Sequence, residues 1–442
     1  MNSVEQLIKT CKSAQHFDYI GEPVSQLEHM SQAAWFAQKS GADEELILAA
    51  FLHDIGHISA PSTAKQMAGL GVLNHEQIGA EHLQQIGFSA RVTDLVHLHV
   101  QAKRYLCWKN PSYYHNLSVA SKGTLEFQGG IMNQQQATEF EQNPLFKDIL
   151  RLRTWDEQAK KVNGPKLDIS TLKQIMQNHL QVKNKPLLMQ YQKEQWRTKG
   201  AIHIPQFFSD GQALQRWAQE LSDKPETPHK WMKYFEKGSK SRQLCRIENF
   251  LQYHQNWEKT IYNERLMQIL SELFAEEAVL FKEKLNFKLP GGNGFTAHQD
   301  APAFASFGQT YHITAMISID ETTTHNGCLE MGYGHHKSGL LKMTEQKVLA
   351  PEVIDEIHWE PLETQPGDLV LFDSYIPHRS GPNTTSSARR AAYVTYNPRS
   401  QGDKRADYYQ HKRQVFPPEI ERIPGKVYQS GLYNIGNPIE EK

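Results

Sequence analysis

His53 and Asp54 stand side by side in the segment FLHDIGH, at the end of an apolar run. An adjacent His–Asp pair can grip metal: the carboxylate bridges two ions while the imidazole binds one. Three more histidines, His29, His75 and His99, fall in helical contexts at suitable separations, and Asp156 in RTWDE offers a second acid. Four imidazoles and two carboxylates suit a pair of borderline transition metals, with iron favoured over magnesium or calcium by the nitrogen count. A second grouping lies far downstream. FTAHQDAP holds His298 and Asp300 two apart, a spacing that puts both on one face of a strand, and His378 follows in GDLVLFDSYIPHRSGPN. Two histidines and one carboxylate with open positions make the facial triad of non-haem Fe(II). Arg389, on the next alternating stretch, can clamp the distal carboxylate of 2-oxoglutarate through its planar fork, with Arg390 as the alternative. His16, His82, His97, His115, His312, His335 and His336 are expected to support structure or neighbouring ligands.

Two kinds of element must position these groups. Asp43–His57 places Leu46, Ala49, Ala50, His53 and His57 at helical spacing, with Asp43 as cap. Further helical patterns cover about 24–40, 75–86, 90–106 and 144–160, with Gly and Pro punctuation between them. The polar stretch Gln181–Lys185, followed by Pro186, reads as a linker. Beyond it the period changes to alternation at Leu280–Leu289, Tyr311–Asp320, Asp368–Asp373 and Arg390–Tyr396, separated by turn signals. The expectation is a multidomain chain. An all-α helical bundle over 1–182 is followed over 188–442 by a double-stranded β-helix, or jelly roll, with flanking helices.

The 442 residues suit two cores. Lys+Arg 48 against Asp+Glu 49 gives no basic excess, so nucleic acid is not an expected partner. No stretch is apolar enough to span a bilayer, and MNSVEQLIKT shows no signal-peptide pattern. The scattered Cys11, Cys107, Cys245 and Cys328 form no disulfide framework, which fits a reducing cytoplasm. Oligomeric state is not legible.

The blocks FDYIGEPVSQLEH (17–29), FLHDIGH (51–57), HVQAKRYL (99–106), ASKGTLEFQGG (120–130) and RLRTWDE (151–157) resemble the HD-domain superfamily. They are most similar to its mixed-valent diiron oxygenase branch, whose members include enzymes that cleave 2-amino-1-hydroxyethylphosphonate to glycine and phosphate. The resemblance implies an Fe(II)/Fe(III) pair. His29, His53, Asp54 and Asp156 would hold one iron, and Asp54, His75 and His99 the other. Lys103, His57, Ser121 and Arg153 would grip the phosphonate. Tyr19 and Glu22 would form a lid, with Glu22 opposite the substrate ammonium.

The blocks YQKEQWRTKGAIHIPQFFS (191–209) and NGCLEMGYGHHKSG (326–339), with the HxD…His pattern, resemble the phytanoyl-CoA dioxygenase family. This implies a mononuclear Fe(II) on His298, Asp300 and His378, and 2-oxoglutarate held by Arg389, Lys288 and Ser380. No residues that would select a CoA thioester are recognisable, so the lipid-oxidising members are poor guides to substrate.

The two chemistries are consecutive. The C-terminal half is expected to hydroxylate C1 of 2-aminoethylphosphonate with 2-oxoglutarate and O2, and the N-terminal half to break the C–P bond of the product. Two alternatives stay open. One is the same chemistry on an N-methylated aminophosphonate. The other is an HD phosphohydrolase fused to an unrelated 2-oxoglutarate hydroxylase.

Overall fold

The computed structural model describes residues 3–16, 19, 22–182, 185–237, 242–428 and 431–434. Phe17, Asp18, Ile20 and Gly21 of the block FDYIGEPVSQLEH, the His16 side chain, and Lys183 and Asn184 of the expected linker lie outside the described residues. The chain divides into two compact units, Met1–Gln190 and Tyr191–Lys442. Among the described residues no helix is long and apolar enough to cross a membrane. The four cysteines are buried and unpaired with one another.

The N-terminal unit is helical, and its helix starts follow local chemistry. Ser25 closes a capping box with Glu28 at the head of Gln26–Lys39. Asp43 accepts from the Leu46 amide to start Glu44–Leu52, and Ser89 caps the long helix Ala90–Lys109. Gly87, in the left-handed region at φ 102°, ends His75–Ile86. Every residue of Leu46–Leu52 is buried, so Glu44–Leu52 is a central helix rather than a two-sided one.

The expected single helix Asp43–His57 is in fact broken. Glu44–Leu52 stops, His53 and Asp54 form a turn, and a short helix Ile55–Ser59 follows. The reason is geometric. Neighbouring residues of an unbroken helix point about 100° apart, which would separate the two side chains. The turn instead brings His53 Nε2 within 3.3 Å of Asp54 Oδ2.

The short helix is held tightly against the start of His75–Ile86. A Cβ built on Gly56 would sit 1.9 Å from the carbonyl oxygen of His75. That contact is with backbone and cannot swing away. Gly56→Ala is therefore expected to destabilise the N-terminal unit by about 1–3 kcal/mol or more. Chemical denaturation followed by circular dichroism checks this.

The C-terminal unit is a two-sheet jelly roll. Its strands are β1 Ala201–Ile204, β2 Met232–Lys237, β3 Arg242–Glu248, β4 Ala278–Lys288, β5 Phe295–His298, β6 Ile313–Ser318, β7 Leu329–Met331, β8 Glu360–Leu362, β9 Leu369–Asp373, β10 His378–Ser380 and β11 Arg389–Pro398. The larger sheet runs β1-β9-β6-β11-β4-β3-β2 and the smaller β5-β10-β7-β8. All pairings are antiparallel. Met316, Val370, Phe372, Ala391 and Tyr393 of the larger sheet pack with Leu329, Met331 and Leu362 of the smaller. Outside the sheets, the helices Gly211–Asp223 and Glu264–Phe274 bury apolar stripes at helical spacing.

Candidate metal centres

In the N-terminal unit the structure brings His29, His53, Asp54, His75, His99 and Asp156 into one buried cluster. They fall into two sets that share Asp54. The Nε2 atoms of His29 and His53 are 3.1 Å apart. Asp54 Oδ2 lies 3.6 and 3.3 Å from them, and Asp156 Oδ1 lies 3.4 and 3.9 Å from them. On the other side, His75 Nε2 and His99 Nε2 are 3.3 Å apart, with Asp54 Oδ1 at 3.5 and 3.7 Å. One carboxylate thus turns one oxygen to each imidazole pair.

The ring tautomers decide what this arrangement can hold. The Nδ1 atoms of His29, His53 and His99 meet the backbone carbonyls of Ala159, Ala50 and Val96 at 2.9, 2.9 and 2.7 Å. A carbonyl only accepts, so each Nδ1 carries the proton and each Nε2 presents a lone pair. Lone pairs facing at such distances repel unless a cation lies between them. Ligand atoms at about 2.1 Å from a metal, at right angles to one another, are themselves about 3 Å apart. The buried Asp156 Oδ1 has no hydrogen-bond donor. The donor set therefore fits two transition metals bridged by Asp54. The two acids also create a demand for positive charge at this spot, which a proton on His53 meets when no cation is bound. Burial opposes a charge on His53, but Asp54 and Asp156 outweigh it and push its pKa up to about 9. Burial and the flanking imidazoles hold His99 well below the usual range.

His57 also approaches Asp54 and His75 closely enough to suggest a ligand. However, its Nδ1 accepts from the Val72 amide at 3.1 Å, which leaves the proton on Nε2. Its ring stacks on His75 at 3.9 Å between centroids. Burial and His75 lower its pKa to about 3, so it is a neutral donor.

A cleft over the His75–His99 side is lined by Tyr19, Glu22, His57, Lys103, Ser121 and Arg153, all singled out from the sequence. Lys103 Nζ donates to Thr124 Oγ1 at 2.7 Å, and burial with nearby Arg153 lowers its pKa to about 7. Arg153 bonds Asp156, Tyr113 at 2.9 Å and Glu157 at 3.1 Å, so it orients a metal-facing acid as well as lining the cleft. The Tyr19 ring stacks on His29 at 3.9 Å. Glu22 pairs with Lys160 at 2.8 Å. Lys160 and Thr124 line the same cleft and were missed. Thr124 was findable, three residues after Ser121 in one helix. Lys160 lies beyond the end of its helix, where periodicity says nothing.

In the C-terminal unit His298, Asp300 and His378 converge from the smaller sheet. His298 pairs with His378 across β5 and β10. Asp300 does not continue β5 as the two-residue spacing suggested. The strand ends at His298, and Asp300 heads a 3₁₀ turn containing Pro302, which has no amide proton for a ladder. Asp300 Oδ1 still lies 3.7 Å from His298 Nε2 and 4.0 Å from His378 Nε2. The Nδ1 atoms meet the Thr296 and Ile376 carbonyls at 2.7 and 3.1 Å, again turning the Nε2 lone pairs to one point. Burial, with His378 and Lys284, lowers the pKa of His298 to about 3. Three donors on one side with the rest open fit a single Fe(II).

Arg389 and Lys288 are paired residues on β11 and β4, both buried. Arg389 donates to Tyr393 Oη at 3.3 Å, while its Nε has no partner. Lys288 Nζ donates to Ser380 Oγ at 2.8 Å, to the Gly327 carbonyl at 3.0 Å and to the Gly381 carbonyl at 2.6 Å. Arg390 is consumed by a two-pronged pair with Asp320 at 2.8 and 2.9 Å. His312 bonds Gln309 at 2.9 Å within an aromatic cluster, and His335 and His336 lie in a separate 3₁₀ turn.

Two family models match the chain: "HD domain" over residues 26–119 and "Phytanoyl-CoA dioxygenase (PhyH)" over 196–391. A 2-aminoethylphosphonate dioxygenase of an uncultured bacterium (HF130_AEPn_1) is 50% identical over 257 residues, 57% of this chain and 98% of its own. The glycine-betaine-forming [1-hydroxy-2-(trimethylamino)ethyl]phosphonate dioxygenase of Leisingera caerulea is 44% identical over 146 residues, 33% of this chain and 74% of its own. The hydroxymethylphosphonate dioxygenase of Gimesia maris is 45% identical over 150 residues, 34% of this chain and 74% of its own.

Proposed function

For a chain that belongs to the phytanoyl-CoA dioxygenase family in its C-terminal unit and to the HD-domain family in its N-terminal unit, we propose a two-step oxidation of 2-aminoethylphosphonate. The C-terminal unit hydroxylates C1, converting 2-oxoglutarate and O2 to succinate and CO2. The N-terminal unit consumes a second O2 and breaks the C–P bond of 2-amino-1-hydroxyethylphosphonate, giving glycine and phosphate. The observation that carries this reading is the pair of separate ligand sets on one chain. One is bridged by a shared carboxylate and the other is a one-sided triad. Relatives of both kinds act on small phosphonates.

In the second step Lys103 and the His57 Nε2–H supply donors to the phosphonate, and Ser121 lies beside Lys103. Arg153 keeps Asp156 turned toward His29 and His53. Glu22 and Tyr19 line the same cleft, and Glu22 would offer its carboxylate to the substrate ammonium in place of Lys160. Iron held by His29, His53, Asp54, His75, His99 and Asp156, and by His298, Asp300 and His378, would supply the dioxygen chemistry that an unactivated C–H or C–P bond requires. In the first step Arg389, with its partnerless Nε, takes the distal carboxylate of 2-oxoglutarate, and Lys288 and Ser380 hold the wall beside it.

Phosphorus NMR of the holoenzyme with Fe(II), 2-oxoglutarate and O2 tests the reading. Inorganic phosphate is expected to form from 2-aminoethylphosphonate in step with succinate. Its absence rejects the two-step reaction. Parallel runs with the N-trimethylated compound separate the methylated alternative, and an anaerobic run separates hydrolysis.

The clamp has its own test. Arg389→Lys keeps the charge and loses the fork, at about 2 kcal/mol, or a roughly 30-fold rise in KM for 2-oxoglutarate. KM for the phosphonate is expected to stay near its original value.

A further inference from the structure

The inner face of the larger sheet carries a row of polar side chains that the triad and the co-substrate clamp leave unused. Along β4 the inward positions are Lys282, Lys284, Asn286 and Lys288. Lys288 belongs to the clamp. The other three do not. Register ties them to the metal triad: Lys282 is level with Thr395 on β11 and Thr314 on β6. Thr314 Oγ1 lies 3.4 Å from Asp300 Oδ2 and 3.4 Å from Thr395 Oγ1. Lys284 is two residues further along the same face, level with Tyr393 on β11 and Met316 on β6.

None of these side chains is held in an ion pair. Lys282 and Lys284 make no salt bridge or hydrogen bond among the described residues; their ammonium groups lie over the rings of Phe304 at 4.7 Å and Tyr393 at 5.2 Å respectively. Two acids stand near them. Asp300 is a metal-facing ligand. Glu248, level with Lys284 on β3, is already taken by Lys412 at 2.7 Å and Arg246 at 3.3 Å. Asn286 is 95% buried, and no described residue accepts from its side-chain Nδ2–H groups, which leaves them to donate to an anion. Lys282 is buried and Lys284 partly buried, and cations withdrawn from water without an anion are disfavoured unless a ligand completes them.

We propose that Lys282, Lys284 and Asn286 anchor the phosphonate group of the substrate in the C-terminal unit, holding its neighbouring carbon before the metal triad. This rests on the hydroxylase reading above. A dianion with three oxygens matches two ammonium groups and an amide, and its carbon is directly attached to phosphorus, so gripping the phosphonate fixes C1. The row also explains selectivity. A carboxylate carries one charge fewer, so β-alanine, the carboxylate analogue, is expected to bind far more weakly.

The test is a binding titration, independent of turnover. Anaerobic holoenzyme carrying Fe(II) and 2-oxoglutarate is titrated with 2-aminoethylphosphonate. The readout is the change in the charge-transfer absorption of the Fe(II)–2-oxoglutarate complex, which reports the C-terminal unit alone. Lys284→Gln is expected to raise the dissociation constant about 10- to 100-fold, and Lys282→Gln/Lys284→Gln further. Lys284→Arg is expected to restore most of the affinity. The affinity for 2-oxoglutarate should change less than about twofold, since the clamp is intact. Thermal melting of Lys284→Met controls for folding, because removing an unpaired, partly buried charge should not lower stability. Wild-type phosphonate affinity in the double variant overturns the proposal and leaves the two-step reading standing. An equal loss of 2-oxoglutarate affinity also overturns it, by reassigning the lysines to the co-substrate. Failure of the unaltered enzyme to bind any phosphonate rejects the two-step reading and the proposal together.

Discussion

Asp54→Ala is expected to stop the chain at its hydroxylated intermediate. 2-Aminoethylphosphonate and 2-oxoglutarate should still be consumed, and 2-amino-1-hydroxyethylphosphonate should build up in step with succinate while phosphate stays at background. The argument is the geometry of one side chain. Asp54 Oδ2 faces the His29–His53 pair and Oδ1 faces the His75–His99 pair. On the proposed reading, removing it would take a ligand from both metals at once and remove the negative charge they share. Asp156 still serves the first pair, but nothing else among the described residues stands in for Oδ1 on the second. Loss of C–P cleavage by roughly 10³-fold or more is expected, beyond the roughly 10- to 100-fold typical when only an outer partner is removed. Iron analysis should find the N-terminal share of the metal gone. Retained phosphate release would sink the bridging role.

His298→Ala is the complementary case. It removes one of three donors from the C-terminal triad, and the other two cannot hold Fe(II) in a fixed orientation. Turnover of 2-aminoethylphosphonate is expected to fall by roughly 10³-fold or more, again beyond an outer-partner effect. The hydroxylated compound, supplied directly, should be cleaved at the unaltered rate. Measured side by side, the two variants separate the units without dividing the chain. If His298→Ala also abolished cleavage of the hydroxylated compound, the assignment of one step to each unit would be wrong.

Much of this was legible before the fold was known, because it rests on local rules. The start of one helix announced itself through Asp43, whose side chain accepts from the amide three residues on; Ser25 and Ser89 do the same at two further starts but were not singled out. The strands β4, β6, β9 and β11 followed from alternation. What stayed hidden depends on partners distant in sequence. Periodicity carried one helix through His53–Asp54, where the demands of the ligand cluster and the close approach of Gly56 to His75 break it. Alternation along β4 marks one face as polar. It cannot say that this face looks inward, because buried lysines are rare enough that a polar row normally means solvent. Glu22 carries the right charge for an ammonium, but its pairing with Lys160 is visible only when residues 138 apart are brought together.

The carbonyl partners of the ligand histidines have an evolutionary consequence. Of the six, five take their ring orientation from main-chain oxygens: those of Ala159, Ala50, Val96, Thr296 and Ile376. A main-chain oxygen is present whatever side chain occupies the position. Point mutation therefore cannot delete these supports, as it could an aspartate doing the same work. Variation is free to remodel the walls of each cleft while the ring poses are inherited intact. Laboratory selection for new phosphonates should accordingly accumulate changes among the cleft-lining side chains while the imidazole poses persist, whatever side chains the carbonyl-bearing positions come to carry.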